Sequence, residues 1–485
     1  MTEAAEVLER LQTLRAADAP THGGRVLSYV YDSGRDDLDE LADAAATLAR
    51  PLNGLDPTVF PSIAAMERDL VGFARRMLHG GRSVVGSVTG GGTESCLLAV
   101  KTARDLWRAQ HPGATARPRL VTASSAHAAF QKAAGLFDLE WDAVPCAPDG
   151  TVRATELIGR LGDDAALVVV SAPAYPTGAL DPIAEVAAAA ADRGMSCHVD
   201  ACFGGFVLPW WPGVPAWDFR VRGVTSISAD LHKFGYAPKG VSVLLHRGRR
   251  RHRAQFFATT RWPGYPVVNP TLLGSRSASP LAAAWAITQR LGDPGYAELT
   301  ASIARVAAEV RSLVDGIRGL TVMGDPAGPA IAVVADESVP PRERVDPHRL
   351  ADALMAHGWK IQHQPGFRQA DGTRIPHSAH LTLTPVLERG MPELGAALRA
   401  ASDSVRGAPP ADPRMLLAAL RALGYGDGGR VPGPAAAWRL LRLAGAGRVS
   451  ATQPMALLMA LIERLPAPVA EALLTELLAR LSEPR

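Results

Sequence analysis

The segment Ser226-Ile-Ser-Ala-Asp-Leu-His-Lys-Phe-Gly-Tyr-Ala-Pro-Lys-Gly240 places a lysine, Lys233, where an apolar strand gives way to small polar residues. His232 and an aromatic–glycine–proline turn flank it. A lysine at such a strand end can lose its charge by desolvation, and the neutral amine is then a nucleophile toward an aldehyde. A solvated lysine would read the same way, so Lys233 needs companions before it carries chemistry.

Three further segments supply candidates. Val88-Thr-Gly-Gly-Gly-Thr-Glu-Ser95 joins a strand to a helix without the spacing of a dinucleotide fingerprint or a Walker loop. Its glycines let a backbone approach closely, Thr93 and Ser95 can cap the helix, and free amides at a helix start favour a phosphate. A plain glycine turn before a capped helix is the alternative. In His198-Val-Asp-Ala-Cys-Phe-Gly-Gly205, Asp200 closes a buried strand, where a carboxylate is costly unless it meets a cation or caps the turn that follows. A protonated pyridine nitrogen is one such cation. In Ser124-Ser-Ala-His127 the imidazole of His127 could stack on a flat ring, or serve packing alone. In chain order these are a phosphate loop, a stacking imidazole, a pyridine carboxylate and an amine. Together they are the contacts that pyridoxal 5′-phosphate (PLP) requires, and all four fall at expected strand ends.

The elements that must position them follow from hydrophobic patterning. Val84–Val88, Leu120–Ala123, Ala166–Ser171, Met195–Val199, Val224–Ser228 and Val241–Leu245 read as short strands. Ser95–Arg108, Ala128–Phe137 and Ile183–Asp192, the last stopped by Gly194, read as helices between them. This alternation predicts an α/β fold with a mainly parallel central sheet and helices on both faces, binding its ligand beyond the carboxyl ends of the strands. After Leu299 a long helical pattern leads to a smaller α/β region with strands Ile331–Val334 and His380–Thr384 and the helix Pro347–His357. From Gly407 onward Ala- and Leu-rich segments predict a helical appendix. The expected division is an N-terminal segment (1–65), a large domain (66–300), a small domain (301–405) and a C-terminal extension (406–485).

With 485 residues the chain can bury a large core. Its 51 Lys+Arg against 48 Asp+Glu, a formal charge of +3, offer no electrostatic case for nucleic acid or an anionic membrane. The run Arg247–Arg253 is expected to be a solvated loop. Four cysteines without a CxxC pair argue against a disulfide framework or a zinc site, so no metal is expected. Met1–Arg15 reads as an amphipathic helix rather than a signal peptide, and no apolar run is long enough to span a bilayer. A cytoplasmic protein is the expectation.

Thr89–Ser95, Ser125–Phe130, His198–Gly205 and Ser226–Gly240 closely resemble the sphingosine-1-phosphate lyases, within the glutamate-decarboxylase-like group of PLP enzymes. Softer matches are Phe256-Phe257, Asn269–Arg276 and Gly358-Trp-Lys, and the resemblance runs from about Tyr29 to Arg399. It implies the PLP-dependent transferase fold of the aspartate-aminotransferase type (fold type I) and a homodimer with shared active sites. By motif, it implies that Gly92 and Thr93 bind the cofactor phosphate with His232 beside it. His127 would stack on the ring, Asp200 would pair with its nitrogen, and Lys233 would hold the cofactor as a Schiff base. Tyr31, Asn53 and Lys239 fall where the lyases surround their substrate, and Arg276 lies in a loop near the dimer-shared site. The implied reaction is retro-aldol cleavage of a β-hydroxy amine, with Lys233, Tyr31 or Lys239 as the base. Decarboxylation of an amino acid, aminotransfer and a non-catalytic scaffold are the alternatives. One departure bears on the substrate: the lyases read Leu-His-Pro, with the His near the substrate phosphate, where this chain has Leu55-Asp56-Pro57. An Asp repels a phosphate dianion at short range, which points away from a phosphorylated substrate. The Gly366–Thr373 loop and the tail after Gly407 have no counterpart in the resemblance.

Overall fold

The computed structural model describes residues 3–425, 430–443 and 454–484. Seven strands form the main sheet: β1 (Val84–Thr89), β2 (Arg119–Ala123), β3 (Glu140–Val144), β4 (Ala165–Ser171), β5 (Ser196–Ala201), β6 (Ser226–Ala229) and β7 (Ser242–Arg247). Their order is β1-β7-β6-β5-β4-β2-β3, with β7 antiparallel to both neighbours and the remaining pairs parallel. Every residue of β4 is buried, because helices cover both faces of a parallel sheet and leave no wet side. Each fully buried Val or Leu there contributes roughly 1.5–3 kcal/mol of apolar burial.

Beyond the sheet, β8 (Phe257–Thr259) and β9 (Val267–Asn269) form a short ribbon. The helical stretch Ser279–Asp315 is two helices meeting at Gly292, whose φ of 52° breaks the ladder just before Pro294. The small region is a four-stranded antiparallel sheet of β10 (Leu320–Val322), β11 (Ala330–Ala335), β12 (Gln362–Gln364) and the later β15, in the order β10-β11-β15-β12. Between β12 and β15 (Ser378–Thr382), the expected Gly366–Thr373 loop is a hairpin, β13 (Phe367–Arg368) with β14 (Arg374–Ile375). The tail is helical, with Arg414–Ala422, Pro434–Leu443, Ala456–Ile462 and Ala467–Leu481 enclosing their own apolar cluster around Leu417, Leu420, Leu441, Leu461 and Leu473.

Two expectations change, and two elements appear that the patterning did not announce. The helix after β1 begins at Gly92, so Thr93 and Ser95 lie inside it and neither caps it; Ser95 Oγ instead meets Thr89 Oγ1 at 2.7 Å. The arginine run is not a loop: Arg249–Gln255 is a helix on which Arg249, Arg250 and Arg253 are exposed as expected, while Arg247 clamps the carbonyls of Val224 and Phe219 at 2.8 Å each. β3 and the short helix Ala154–Ile158 carry no continuous apolar run that would have announced them. The N-terminal helix, Ala4–Arg15, buries none of its residues against the chain. Among the described residues no helix is long and apolar enough to cross a membrane.

Candidate active site

The carboxyl ends of β4, β5 and β6 set Ser171, Asp200 and Ser228 side by side, since Ser171 pairs with Asp200 and Asp200 with Ser228 in register. Asp200 is buried, and its Oδ1 accepts hydrogen bonds from the Cys202 amide (3.1 Å) and from Ser228 Oγ (3.3 Å). A cavity of about 540 Å³ opens above these strand ends, within the range of small-molecule sites. Gly90–Glu94, His127, Asp200, His232 and Lys233 line it, with Tyr31, Tyr175 and Phe203 closing one side.

Lys233 follows β6 by a tight turn. Its Nζ lies 2.8 Å from Oδ2 of Asp230, a fully buried carboxylate whose Oδ1 accepts from Ser242 Oγ at 2.6 Å. Burial alone would lower the lysine pKa, but the Asp230 charge outweighs it and holds the pKa well above the ordinary lysine range. In the free chain, then, the amine is stored as an ammonium against Asp230. His232 Nδ1 meets the Val241 carbonyl at 2.9 Å, its Nε2 stands 3.5 Å from Asp230, and burial lowers its pKa.

The glycine loop is pressed onto this floor. Gly91 has φ 152°, open to glycine but rarely to other residues, and a Cβ on Gly92 would stand 2.6 Å from Asp230 Oδ2. From Gly92 a 19-residue helix runs away from the cavity, so its first amides, unpaired within the helix, face the cavity together with the positive end of its dipole. Glu94 ties the loop down, accepting from the amides of Gly90 and Leu272. His127 is the N-cap of Ala128–Phe137, its Nδ1 accepting from the Ala129 amide at 3.2 Å.

Residues 33–318 match the family model described as the pyridoxal-dependent decarboxylase conserved domain. The chain belongs to this family. Among proteins it resembles is sphingosine-1-phosphate lyase 1 of Rattus norvegicus, 36% identical over 390 residues, 79% of this chain and 65% of the relative. The chain therefore spans just under two thirds of that relative's length. A solved sphingosine-1-phosphate lyase of Burkholderia pseudomallei is 31% identical, with a TM-score of 0.76, covering 87% of this chain and 94% of that one. A glutamate decarboxylase of Lactobacillus brevis shares the fold at 21% identity and TM-score 0.73, covering 84% and 94%. The fold is the PLP-dependent decarboxylase-like form of fold type I, and the cofactor of this family member is PLP. The cavity suits it: free amides for a phosphate, a buried carboxylate for a ring nitrogen, an imidazole at the wall and an amine on the floor.

The structure gathers Gly92, Thr93, His127, Asp200, His232, Lys233 and Tyr31 around one cavity. Tyr31 packs edge-on to Phe234 (5.2 Å), and burial raises its pKa far above the ordinary tyrosine value. Lys239 is an exposed residue, but its Nζ sits 4.5 Å over the Tyr31 ring and donates to the His232 carbonyl at 2.9 Å. Desolvation, then the charge of Lys233, lowers its pKa to about 8. Asn53, Asp56 and Arg276 are not brought to Lys233 by the fold of one chain. Asp56 and Arg276 line a separate cavity of about 630 Å³ with Glu67, His252 and Tyr265. Arg276 is engaged there with Glu67 Oε1 (2.8 Å) and the Val88 carbonyl (3.1 Å), and Asn53 Oδ1 accepts from the amides of Leu55 and Arg276.

Sequence reasoning missed Asp230, Tyr175 and Gln369. Asp230 stood in the quoted lysine segment, three residues ahead of Lys233, but its spacing looked like any polar turn. Tyr175, whose hydroxyl donates to Gln362 Oε1 at 2.7 Å, and Gln369 are linked to the site only through the third dimension. Gln369 reaches from the β13–β14 hairpin to the segments that follow β2 and β3. Its Oε1 accepts from Ser124 Oγ and from the Cys146 amide (2.7 Å), and its Nε2 donates to the Cys146 carbonyl at 2.6 Å. It thus pins the start of the turn that presents His127. Gln369→Ala is expected to cost about 2–3 kcal/mol in urea unfolding, since buried partners lose their bonds, and to speed PLP dissociation several-fold. If unfolding midpoint and dissociation rate both match the parent, the hairpin does not support the site.

Proposed function

We propose that this protein is a PLP-dependent carbon–carbon lyase that cleaves a β-hydroxy amine by a retro-aldol route. The observation that carries the reading is one cavity uniting Lys233, Asp200, His127 and the glycine loop in a chain whose similarity is to sphingosine-1-phosphate lyases. When bound, PLP supplies an electron sink for the pair freed as a bond to the substrate Cα breaks. The amides of Gly92 and Thr93 would hold its phosphate, His127 would lie against the ring, Asp200 would keep a proton on the ring nitrogen, and Lys233 would hold the aldehyde carbon. Released from that carbon, the Lys233 amine can carry a proton to or from the substrate. A pKa of about 8 leaves a share of Lys239 neutral near that pH, so its amine could take the β-hydroxyl proton beside Tyr31.

Asp56 bears on the substrate. Its Oδ1 accepts from the Thr58 amide and hydroxyl, and these bonds hold its pKa below the usual carboxylate range, so it is anionic at neutral pH. We read it as opposing a phosphorylated substrate. We infer a cytoplasmic homodimer in which the cavity holding Asp56 and Arg276 meets the active site of the other subunit; sedimentation should then give twice the 51.1 kDa chain mass.

A panel of β-hydroxy amines, each offered with and without a phosphate, tests the reading. Aldehyde release from the free amines is expected, with Asp56→His raising turnover of the phosphorylated ones about tenfold or more. Carbon dioxide from amino acids, with no aldehyde from any amine, would move the assignment to a decarboxylase. Turnover of phosphorylated amines by the parent chain would refute the role given to Asp56.

A further inference from the structure

The helical tail docks on the small domain through charged groups rather than apolar packing alone. Asp352, on the helix Pro347–Ala356, accepts from the amides of Met455 and Ala456 at 2.8 and 3.0 Å and so caps the tail helix Ala456–Ile462. Its Oδ1 also meets His363 Nε2 at 3.0 Å. Just past that tail helix, the Glu463 carboxylate enters a pocket between two histidines of the small domain. The Glu463 side chain is 7% exposed and that of His348 3%. His348 Nε2 stands 3.0 Å from Glu463 Oε1, and His377 Nδ1 stands 3.8 Å from the same oxygen. The two imidazoles stack at 4.7 Å with 23° between their planes.

An ion-pair network alone accounts poorly for this pattern. The 3.8 Å separation between His377 Nδ1 and Glu463 is no hydrogen bond, yet that nitrogen faces the carboxylate. The other His377 nitrogen, Nε2, is fixed by Asp346 Oδ2 at 2.8 Å, and Asp346 is itself held in place by the Arg349 amide. A carboxylate behind an imidazole is how proteins orient a histidine that binds a metal through its free nitrogen. Arg374 occupies the far oxygen of Glu463 at 3.1 Å, leaving Oε1 as the single coordinating atom. One ligand atom from each of His348, His377 and Glu463 lies within 4.8 Å of the other two. Bonds of about 2.0–2.1 Å in a tetrahedral site place ligand atoms roughly 3.3 Å apart, so the set, now within 4.8 Å, would close by side-chain movements of up to about 1.5 Å.

We propose that His348, His377 and Glu463 bind a divalent transition-metal ion, of which zinc best suits two imidazoles and a carboxylate, with water as fourth ligand. The ion joins the tail to the small domain and makes docking of the tail metal-dependent. The cysteines offered no hint of it, because the ligands are a helix residue, a pre-strand residue and a tail residue far apart in the chain.

The test uses untagged PLP-loaded protein, stripped with a chelator and then given zinc chloride. About one zinc per chain is expected to survive gel filtration, and to slow protease cleavage of the 407–413 linker. Glu463→Gln and His377→Gln should each retain less than a tenth of that zinc, and Asp346→Asn, which keeps the helix cap, should bind it about 10–100-fold more weakly. Less than a tenth of an equivalent in the parent chain would overturn the proposal without any variant. So would undiminished zinc in Glu463→Gln, as expected if Cys96, Asp200 and Cys202 in the cofactor cavity held the ion.

Discussion

Turnover is expected to fall by more than about 10³-fold in Lys233→Ala, with PLP still entering the cavity but no longer held covalently. The same variant should lose stability when free of PLP. Asp230 is fully buried and Lys233 is its cationic partner at 2.8 Å, and a buried ion pair deprived of one member costs about 3–5 kcal/mol. Lys233→Arg separates the two roles. A guanidinium can still answer Asp230 but does not condense with an aldehyde, so apo stability should stay near that of the parent while turnover is lost. Apo melting curves and single-turnover rates for both variants decide the point. If Lys233→Arg kept more than a tenth of the activity, the amine would not be the reacting group.

The second large effect is expected at Asp200. In Asp200→Asn the side-chain oxygen can still accept from the Cys202 amide and Ser228 Oγ, so folding should change little. The negative charge that would keep a ring nitrogen protonated is gone, and turnover should drop by about 10²–10⁴-fold. PLP should also leave faster on dialysis. Activity within tenfold of the parent would assign Asp200 to capping its turn and nothing more.

Much of the main sheet was legible because a parallel sheet covered on both faces forces continuous aliphatic runs. Ala166–Ser171 was read within one residue of β4, and Asp200 stood out as a polar residue ending such a run. β3, Glu140-Trp-Asp-Ala-Val144, escaped because an edge strand with exposed and half-buried residues has no such signature. The helix starts ahead of the expected caps for a local reason. Threonine and serine are good caps, but the glycines let the chain turn into the helix earlier, at Gly92, so Thr93 lies within its first turn and its hydroxyl does not cap it. Charge points the arginine run to solvent, and Arg249, Arg250 and Arg253 are exposed, but Arg247 spends its guanidinium on backbone carbonyls inside the fold. Asp230 pairs with Lys233 only three residues on, a spacing shared with any polar turn, whereas Gln369 and the His348–His377–Glu463 cluster depend on contacts across long stretches of chain, for which one sequence holds no periodic signal. Asn53, Asp56 and Arg276 rest on the resemblance alone, and a single chain places Asp56 and Arg276 in a second cavity.

Borohydride reduction of the PLP-loaded protein, followed by peptide mapping, tests the central claim most directly. The reagent fixes the carbon–nitrogen double bond between a lysine amine and the cofactor aldehyde. The pyridoxyl label is predicted on the peptide containing Lys233 and on no other. Label on another lysine, Lys239 included, or none at all, would contradict the assignment of this cavity.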